Sequence, residues 1–529
     1  MVNDDTVEDS NVLMSTMHNK ARPGHYRLQE GVRIVSRDGR PLVVCDYPLR
    51  VVQLNPVAAQ LLLLCIEERT CGQLAQATGM PVNRVETFCD QLCWKELLEA
   101  GPPLPPPTWP CVSIVIPSYN RAKELERCLY SLFSLDYPAS CLEIIVVDDA
   151  STDETGSMLQ HLAQEVATHE QELHVIRHEK QRGVGISRNT GAEAAQYGLV
   201  AYLDSDCVAS PGWLRELVPT FQNTRIAAVG GMIRAYDRNT LLGSYEDVCS
   251  SLYMGERTQQ VSLKGPLTYL PTANLVVRRT IWQELAGYAP MTFGEDVDFC
   301  RRLLLSGASI VYIAQGVVYH DYRTKLEDFL RIHVVYASTQ AALLKRHPAE
   351  RRILFLPPEQ AIFATVLIGE VWGILWLSVQ SIWSGFQGKT FVISMLPFLL
   401  VFLLCIFSIY NRLQKVKEYG NVLGLPIVMK ATLRGHLAYT YHLSRHLTRY
   451  YTLPIFICSF FVSPVFMLLF ILCGIVIGVD YVRLKPQMDI GRYAFCSLVD
   501  DCAYEVGVVW GCIRHETWKP LVPVIKTSV

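Results

Sequence analysis

The sequence predicts an α/β protein built on a mostly parallel sheet, with a small domain ahead of it and apolar helices behind it. Three observations carry this reading. Short β-branched runs alternate with helix-forming stretches from Cys111 to about His320. Those runs end in acids or turn residues, as strands do where a parallel sheet opens into a ligand crevice. Most of the excess in the 50% hydrophobic content lies after Pro348, where long stretches carry no charge. At 529 residues the chain also exceeds one domain.

In CVSIVIPSYNRAKELERCLYSL, Val112 to Ile116 is a continuous apolar run, as a strand buried on both faces requires. Pro117 ends it before an amphipathic helix. LEIIVVDDASTDET repeats the plan: Ile144 to Val147 form a strand, Asp148 and Asp149 stand at its carboxyl end, and Ser151 to Asp153 open a helix with capping residues. His174 to Arg177 is a third strand, and RGVGISRNTGAEAA supplies a loop with Gly183 and Gly185 before a helix. LVAYLDSDC, Leu199 to Cys207, is a fourth strand that delivers Asp204, Ser205 and Asp206 to its end. Two carboxylates one residue apart can share a divalent cation that carries a diphosphate. A lone pair of this kind can equally do no more than solvate a turn. In MTFGEDVDFCRRLLLSG, Glu295, Asp296 and Asp298 stand at a helix start, where the dipole favours acids and where a carboxylate is available for proton transfer. A last β-run, Ser309 to Ile313, precedes GVVYHDYR and His320.

Taken in order, VSIVIPSYNR, VVDDASTD, GVGISRNTG, YLDSDC and GEDVDFCRRLLLSG resemble the family 2 glycosyltransferases of the GT-A fold, over roughly Cys111 to His320. The resemblance implies a Rossmann-like sheet, a UDP-sugar donor and a bound Mg2+ or Mn2+ that neutralises charge on the leaving diphosphate. It implies donor-site roles for Pro117, Tyr119, Asp148, Asp149, Arg188, Asp204 and Ser205. Asp206 is the expected metal ligand, Asp204 faces the ribose or shares the metal, and His320 completes the metal shell or is a structural histidine. One of Asp148 and Asp149 reads the uracil and its neighbour caps the helix. Arg188 meets the diphosphate or forms a salt bridge. Asp296 is the expected catalytic base, with Glu295 positioning it and Asp298 a first-turn acid. Asn274, before LVVRR, resembles an acceptor-side residue. Single displacement by a hydroxyl inverts the anomeric carbon, so an α-linked donor gives a β-glycoside. Processive relatives carry Q-x-x-R-W after the base to grip the polymer; none is present, and the FCRRLL run offers Arg301 and Arg302 instead, which read equally as solvated positions on an amphipathic helix. A short glycan is the expected product.

The domain boundaries expected are a disordered 1–24, a small domain at 25–100, a proline-rich linker at 101–110 (GPPLPPPTWP), the transferase at 111–348 and a membrane-associated region at 349–529. Transmembrane helices are expected near 361–383, interrupted by Glu370, and at 391–410 and 452–479, with Pro464 a point at which the last could turn back. Between the last two, Lys415, Lys417, Lys430, Arg434, Arg445 and Arg449 place their segment in the cytoplasm by the positive-inside rule, together with the catalytic domain. The expected location is therefore a multi-pass cell-membrane protein. The acidic amino terminus lacks the features of a signal peptide. Seventeen cysteines without C-x-x-C pairs fit reduced thiols.

In the small domain, LVVCDYPLRVVQLNPVAAQLLLLC gives strands around a turn, including Val43, Val51 and Val52, then Asn55 as N-cap with Pro56 at the first helical position. Thr70 can start a second helix, and Val85, Phe88, Cys89 and Leu92 form a stripe at helical spacing. Strands followed by helices suggest a winged helix, and the segment is not basic, which weighs against a nucleic-acid partner. VVQLNPVAAQLLLLCIEERTCGQLAQATGMPVNRVETFCDQLCWKELLEAG resembles PqqD, a small peptide-recognition protein. The order of modules resembles the mycofactocin-system glycosyltransferases. That resemblance implies a peptide-derived redox cofactor as acceptor and glucose from UDP-glucose as the transferred sugar. Two rival readings are a polysaccharide glycosyltransferase acting on a lipid-linked sugar and an inactive membrane scaffold.

Overall fold

The computed structural model describes residues 21–527 apart from 23, 38–39, 47–48, 167–171, 264, 292, 385–388, 418–423 and 462. The expected disordered terminus falls, as far as residue 20, outside the described residues. The chain divides into two units, one reaching to Leu104 and the other starting at Pro105, so the boundary falls inside the proline-rich segment.

In the first unit, Val32–Arg37, Arg40–Asp46 and Leu49–Gln53 form an antiparallel sheet with the middle strand central. His25–Leu28 pairs antiparallel with both Arg69–Thr70 and Leu98–Ala100. Three helices follow local signals. Asn55 accepts the Ala58 amide at 2.7 Å to start Pro56–Leu64, and Thr70 and Gln73 close a capping box on Cys71–Thr78. Val82–Trp94 turns Val85, Cys89 and Leu92 onto Leu61, Leu62 and Leu74 to make the core.

The second unit is built on an eight-stranded sheet. Its strands in chain order are β1 (Val112–Ser118), β2 (Leu142–Asp148), β3 (Glu172–Arg177), β4 (Leu199–Leu203), β5 (Ile226–Gly230), β6 (Gln259–Val261), β7 (Asn274–Arg278) and β8 (Ser309–Tyr312), lying side by side as β6-β8-β5-β7-β4-β1-β2-β3. The parallel run β4-β1-β2-β3 gathers the carboxyl ends of these strands at one edge. Four of the seven pairings are parallel, β5 with β8 included, as the mostly parallel expectation requires; the sheet is nonetheless mixed, because β7 runs antiparallel to β4 and β5, and β6 antiparallel to β8. β1 and β2 are buried along their whole length, which is why their sequences are mostly apolar, with the buried Ser113 donating to Glu143 at 2.5 Å. A second, three-stranded sheet sets Cys207–Ala209 antiparallel to Val318–His320 in a register that places Cys207 opposite His320.

Long helices follow. Pro358–Ser384 and Lys389–Lys417 form a hairpin, with Asn411 Nδ2 donating to Glu359 Oε1 at 3.2 Å; the side chains of 376–399 lie outside the described residues. The expected span 452–479 is divided between Leu425–Phe461 and Ser463–Leu484, which also turn back on one another, with Tyr441 donating to Asp480 at 2.6 Å. The segment from 452 to 461 is thus one arm of a hairpin and, at about 1.5 Å per residue, too short to cross a bilayer alone. Among the described residues one helical stretch, Val465–Leu484, is long and apolar enough to cross. Arg445 and Arg449, counted above as orienting charges, are neutralised inside the protein by Asp500 and Asp501.

The chain then returns to the sheet-bearing part. Helix Ile490–Arg514 lies against helix Leu326–Arg346, and its backbone reaches the other helix at two glycines one turn apart. A Cβ on Gly507 would collide with the Val334 carbonyl, and one on Gly511 with that of Ser338. Gly511→Val is therefore expected to lose about 1 to 3 kcal/mol or more of stability through overpacking. A thermal melt of the detergent-solubilised protein checks this, with an unchanged Tm counting against the contact.

Candidate active site

The site is assembled from five segments that the sheet edge brings together. After β4 the chain turns, and Asp204 and Asp206 take different partners. Asp204 Oδ1 accepts Arg188 Nη2 at 2.6 Å, while Asp206 lies 3.5 Å from His320 Nε2 and is ion-paired with Arg121. Ser205 between them is buried. Burial alone would raise the Asp206 pKa, but the fields of His320 and Arg121 hold it down at about 2.

Arg188 is 4% exposed and reaches from Asp204 to Glu295, whose Oε1 it meets through Nη1 at 2.5 Å. It is neither a surface salt bridge nor free to meet a phosphate, because both ends of its guanidinium are engaged by carboxylates. Burial pulls its pKa down, yet the fields of Asp204 and Glu295 more than offset this and it stays firmly charged. The helix Glu295–Leu305 starts at Gly294, whose φ of 80° suits glycine, and so turns Glu295 and Asp296 toward this cation. Asp296 Oδ1 accepts the Val297 amide at 2.7 Å. Its pKa is pushed up to about 7, first by burial and then by the negative field of Glu295.

The donor-side residues sit at the ends of β1 and β2. Pro117 is paired with Val147, and Tyr119 lies just past the strand with 38% of its surface exposed. Asp148 accepts the Ser151 amide at 2.9 Å, within the loop that precedes helix Thr155–Val166, and is ion-paired with Arg177, while Asp153 accepts the Thr155 amide at the helix start at 3.1 Å. Asp149 organises the glycine loop, accepting the amides of Arg182 and Gly183 at 2.9 and 2.7 Å and meeting His178 Nδ1 at 2.7 Å. Its pKa is lowered because these contacts outweigh burial.

Two expectations are corrected. Asn274 is 1% exposed and fully engaged: Oδ1 accepts Trp213 Nε1 at 2.7 Å, and Nδ2 donates to the carbonyls of Met232 and Gly316. It clips β7 to its neighbours and has nothing left for an acceptor. Asp298 stands in the first turn as expected and is also a tertiary tie, fully buried and meeting Arg302, Arg346 and His347 at 2.6 to 2.9 Å. Arg301 and Arg302 are likewise not solvated: the first pairs with Glu350, and the second also donates to the carbonyls of Leu285 and Gly287.

The sequence reading missed Arg121 and His178, which stand in SYNR and in RHEK beside motifs already singled out. It also missed Cys207, which joins Asp206 and His320 in one cluster whose ligand atoms lie within 4.8 Å of one another. Burial holds the Cys207 thiol far above its usual pKa, so it stays protonated. The remaining carboxylate and imidazole could offer one oxygen and one nitrogen ligand to a divalent cation, the oxygen being the donor that suits Mg2+ or Mn2+.

Residues 113–286 match the model of glycosyl transferase family 2. The chain is 28% identical over 499 residues to the pre-mycofactocin glycosyltransferase of Mycobacterium tuberculosis, spanning 91% of this chain and 93% of that one. It is also 28% identical over 218 residues to the glycosyltransferase AglE of Haloferax volcanii, which covers 41% of this chain and 68% of that protein. Among solved structures it is similar to a mannosyltransferase from Pyrobaculum calidifontis in complex with GDP-Man and Mn2+, at 16% identity over 77% of this chain and 89% of that one, with a TM-score of 0.41.

Removing the central cation should be costly. Arg188→Ala is expected to lower stability by about 3 to 5 kcal/mol by leaving Asp204 and Glu295 without their counter-charge. Arg188→Lys should recover only part of this, since one ammonium cannot serve both carboxylates with the same geometry. Urea denaturation of the three proteins measures both effects, and an Ala variant as stable as the parent would refute the bridge.

Proposed function

We propose that this chain, which carries a family 2 glycosyltransferase domain over residues 113–286, is an inverting hexosyltransferase. It moves glucose from UDP-glucose to a hydroxyl of the peptide-derived redox cofactor mycofactocin and builds a short β-linked glycan. The observation that carries the chemistry is Asp296. A carboxylate poised at about 7, one residue from the Arg188–Glu295 pair, suits proton abstraction at neutral pH. The acceptor is supported by the similarity to the pre-mycofactocin glycosyltransferase along nearly the whole of both chains.

In this mechanism the acceptor hydroxyl gives its proton to Asp296 as its oxygen attacks the anomeric carbon from the face opposite the diphosphate. The bond from that carbon to the diphosphate oxygen breaks, and its electron pair leaves with UDP. Asp206 and His320 would hold Mg2+ or Mn2+, which when bound supplies positive charge at the leaving diphosphate. Pro117, Tyr119, Asp148, Asp149 and Ser205 line the donor side, with Asp204 toward the ribose. The first unit is the PqqD-like peptide-recognition module. Val51 and Val52 lie on the outer strand Leu49–Gln53, whose open side could pair with an extended peptide, whereas Val43 is buried in the central strand. The helical hairpins anchor the enzyme in the cell membrane with the catalytic unit facing the cytoplasm, where nucleotide sugars are found.

Incubating membranes that contain the protein with UDP-glucose, Mg2+ or Mn2+ and either the peptide-derived precursor or a polyprenyl phosphate sugar tests the acceptor. Hexose increments on the peptide-derived compound support the reading, increments confined to the lipid replace it with the polysaccharide reading, and no turnover favours a scaffold. Asp296→Asn should cut kcat by about 10² to 10⁴ while UDP binding persists. Because this base works only when deprotonated and its pKa is raised, kcat/KM should fall as pH drops below about 7. A flat profile down to pH 5 would mean that another residue is the base.

A further inference from the structure

The outward side of helix Ile490–Arg514 carries a continuous apolar stripe. Phe495, Leu498, Val506, Trp510 and Ile513 are all exposed, while Gly507 and Gly511 press the opposite side onto helix Leu326–Arg346. The stripe continues into the carboxyl-terminal segment, where Trp518 and Val522 are 57% and 65% exposed. Basic side chains fringe it: Arg514 and Lys526 are exposed and Lys519 is half-buried.

The position of this segment is fixed by contacts at the feet of the apolar helices. Strand Val524–Lys526 pairs with Ile353–Phe355, just before helix Pro358–Ser384 begins. Arg352 donates to the Leu521 carbonyl and to the Tyr451 hydroxyl, and Tyr451 donates to the same carbonyl at 2.6 Å. Tyr451 is also where helix Leu425–Phe461 kinks, one residue before its charge-free arm. The segment therefore stands at the level where polar protein gives way to apolar helix. Exposed tryptophans with flanking Lys and Arg at that level match the composition of an interfacial belt.

We propose that this stripe and the segment after it are a lipid-binding face that lies in the headgroup region of an anionic bilayer. The proposal rests on the membrane reading given above and deepens it. It commits to a lipid surface because the cationic fringe complements anionic headgroups and because the face is continuous with the helices that enter the membrane. Lying on the far side of helix Leu326–Arg346 from the Asp298 tie, it would hold the catalytic unit against the membrane through one helix layer.

The full-length protein is reconstituted in nanodiscs of phosphatidylcholine with phosphatidylglycerol, with and without brominated acyl chains. Bromine should quench tryptophan emission in the parent, and Trp510→Phe with Trp518→Phe should remove a distinct part of that quenching. Exchange of the backbone amides of 515–527 should be slower in discs with phosphatidylglycerol than in phosphatidylcholine alone. Neutralising Lys519 and Lys526 to Gln should speed that exchange roughly fivefold for each cation. Quenching unchanged by the tryptophan substitutions, exchange indifferent to headgroup charge, or protection that appears only in discs holding two copies of the chain would each overturn the proposal. Extraction by alkaline carbonate separates the two readings. A protein stripped from membranes by carbonate would sink the membrane reading itself, whereas one that resists carbonate but fails the bromine test loses only the interfacial face.

Discussion

A buried guanidinium between two carboxylates is costly to leave unbalanced, and at Arg188 that cost organises the site. Its two contacts, to Asp204 after β4 and to Glu295 at the start of a helix, join segments 91 residues apart in sequence. Arg188 sets a counter-charge against the Glu295 side chain, which is 9% exposed. Burial and then the field of Glu295 raise the Asp296 pKa, while Arg188 itself pulls in the opposite direction. The Asp296 pKa is thus set by burial and by a balance between one cation and its paired acid.

The same helix is held from behind. Asp298 grips Arg346 and His347 at the end of helix Leu326–Arg346, so the catalytic turn is carried on that helix as well as on the sheet. One turn groups further back, His333 sits between Asp500 at 2.6 Å and Glu246 at 2.7 Å. Burial would discharge this imidazole, but the two carboxylates raise its pKa to about 9 and keep it cationic at neutral pH. Asp500 in turn receives Arg449 from helix Leu425–Phe461. A chain of buried ion pairs therefore runs from the carboxyl-terminal helices to the helix that supports the active site, and this explains why charges in an apolar region are not exposed to it.

Local rules were enough for much of this molecule. Strands buried on both faces, helix caps at Asn55 and Thr70, and the acids at strand ends all follow from patterns spanning a few residues. Partners distant in sequence were not legible. Asp298 reads as a first-turn acid until Arg346 and His347 fold back onto it, and Arg302 reads as solvated until the carbonyls of Leu285 and Gly287 close around it. Asn274 looked like a substrate contact because its position resembled one, yet Trp213 and the carbonyls of Met232 and Gly316 had already taken its amide. The direction of β7 was not legible either, because alternation of strands and helices does not show which way a strand runs.

The acidic pair shows where pattern and geometry part. Read along the chain, Asp204 and Asp206 look like two arms of one metal clamp. In the folded protein Asp204 belongs to the Arg188–Glu295 network, and Asp206 belongs with His320 and Arg121. Two carboxylates that shared one cation would be partly redundant, since either could retain it with water filling the vacated position. Two carboxylates with separate partners are not. Loss of Asp204 would free one end of Arg188 and shift the field on Asp296 through Glu295, whereas loss of Asp206 would leave His320 and Arg121 facing one another with no acid between them. The motif's single intervening residue is therefore a division between two ion-pair networks: one acid acts on Asp296 through Arg188 and Glu295, and the other belongs to the cluster with Cys207 and His320.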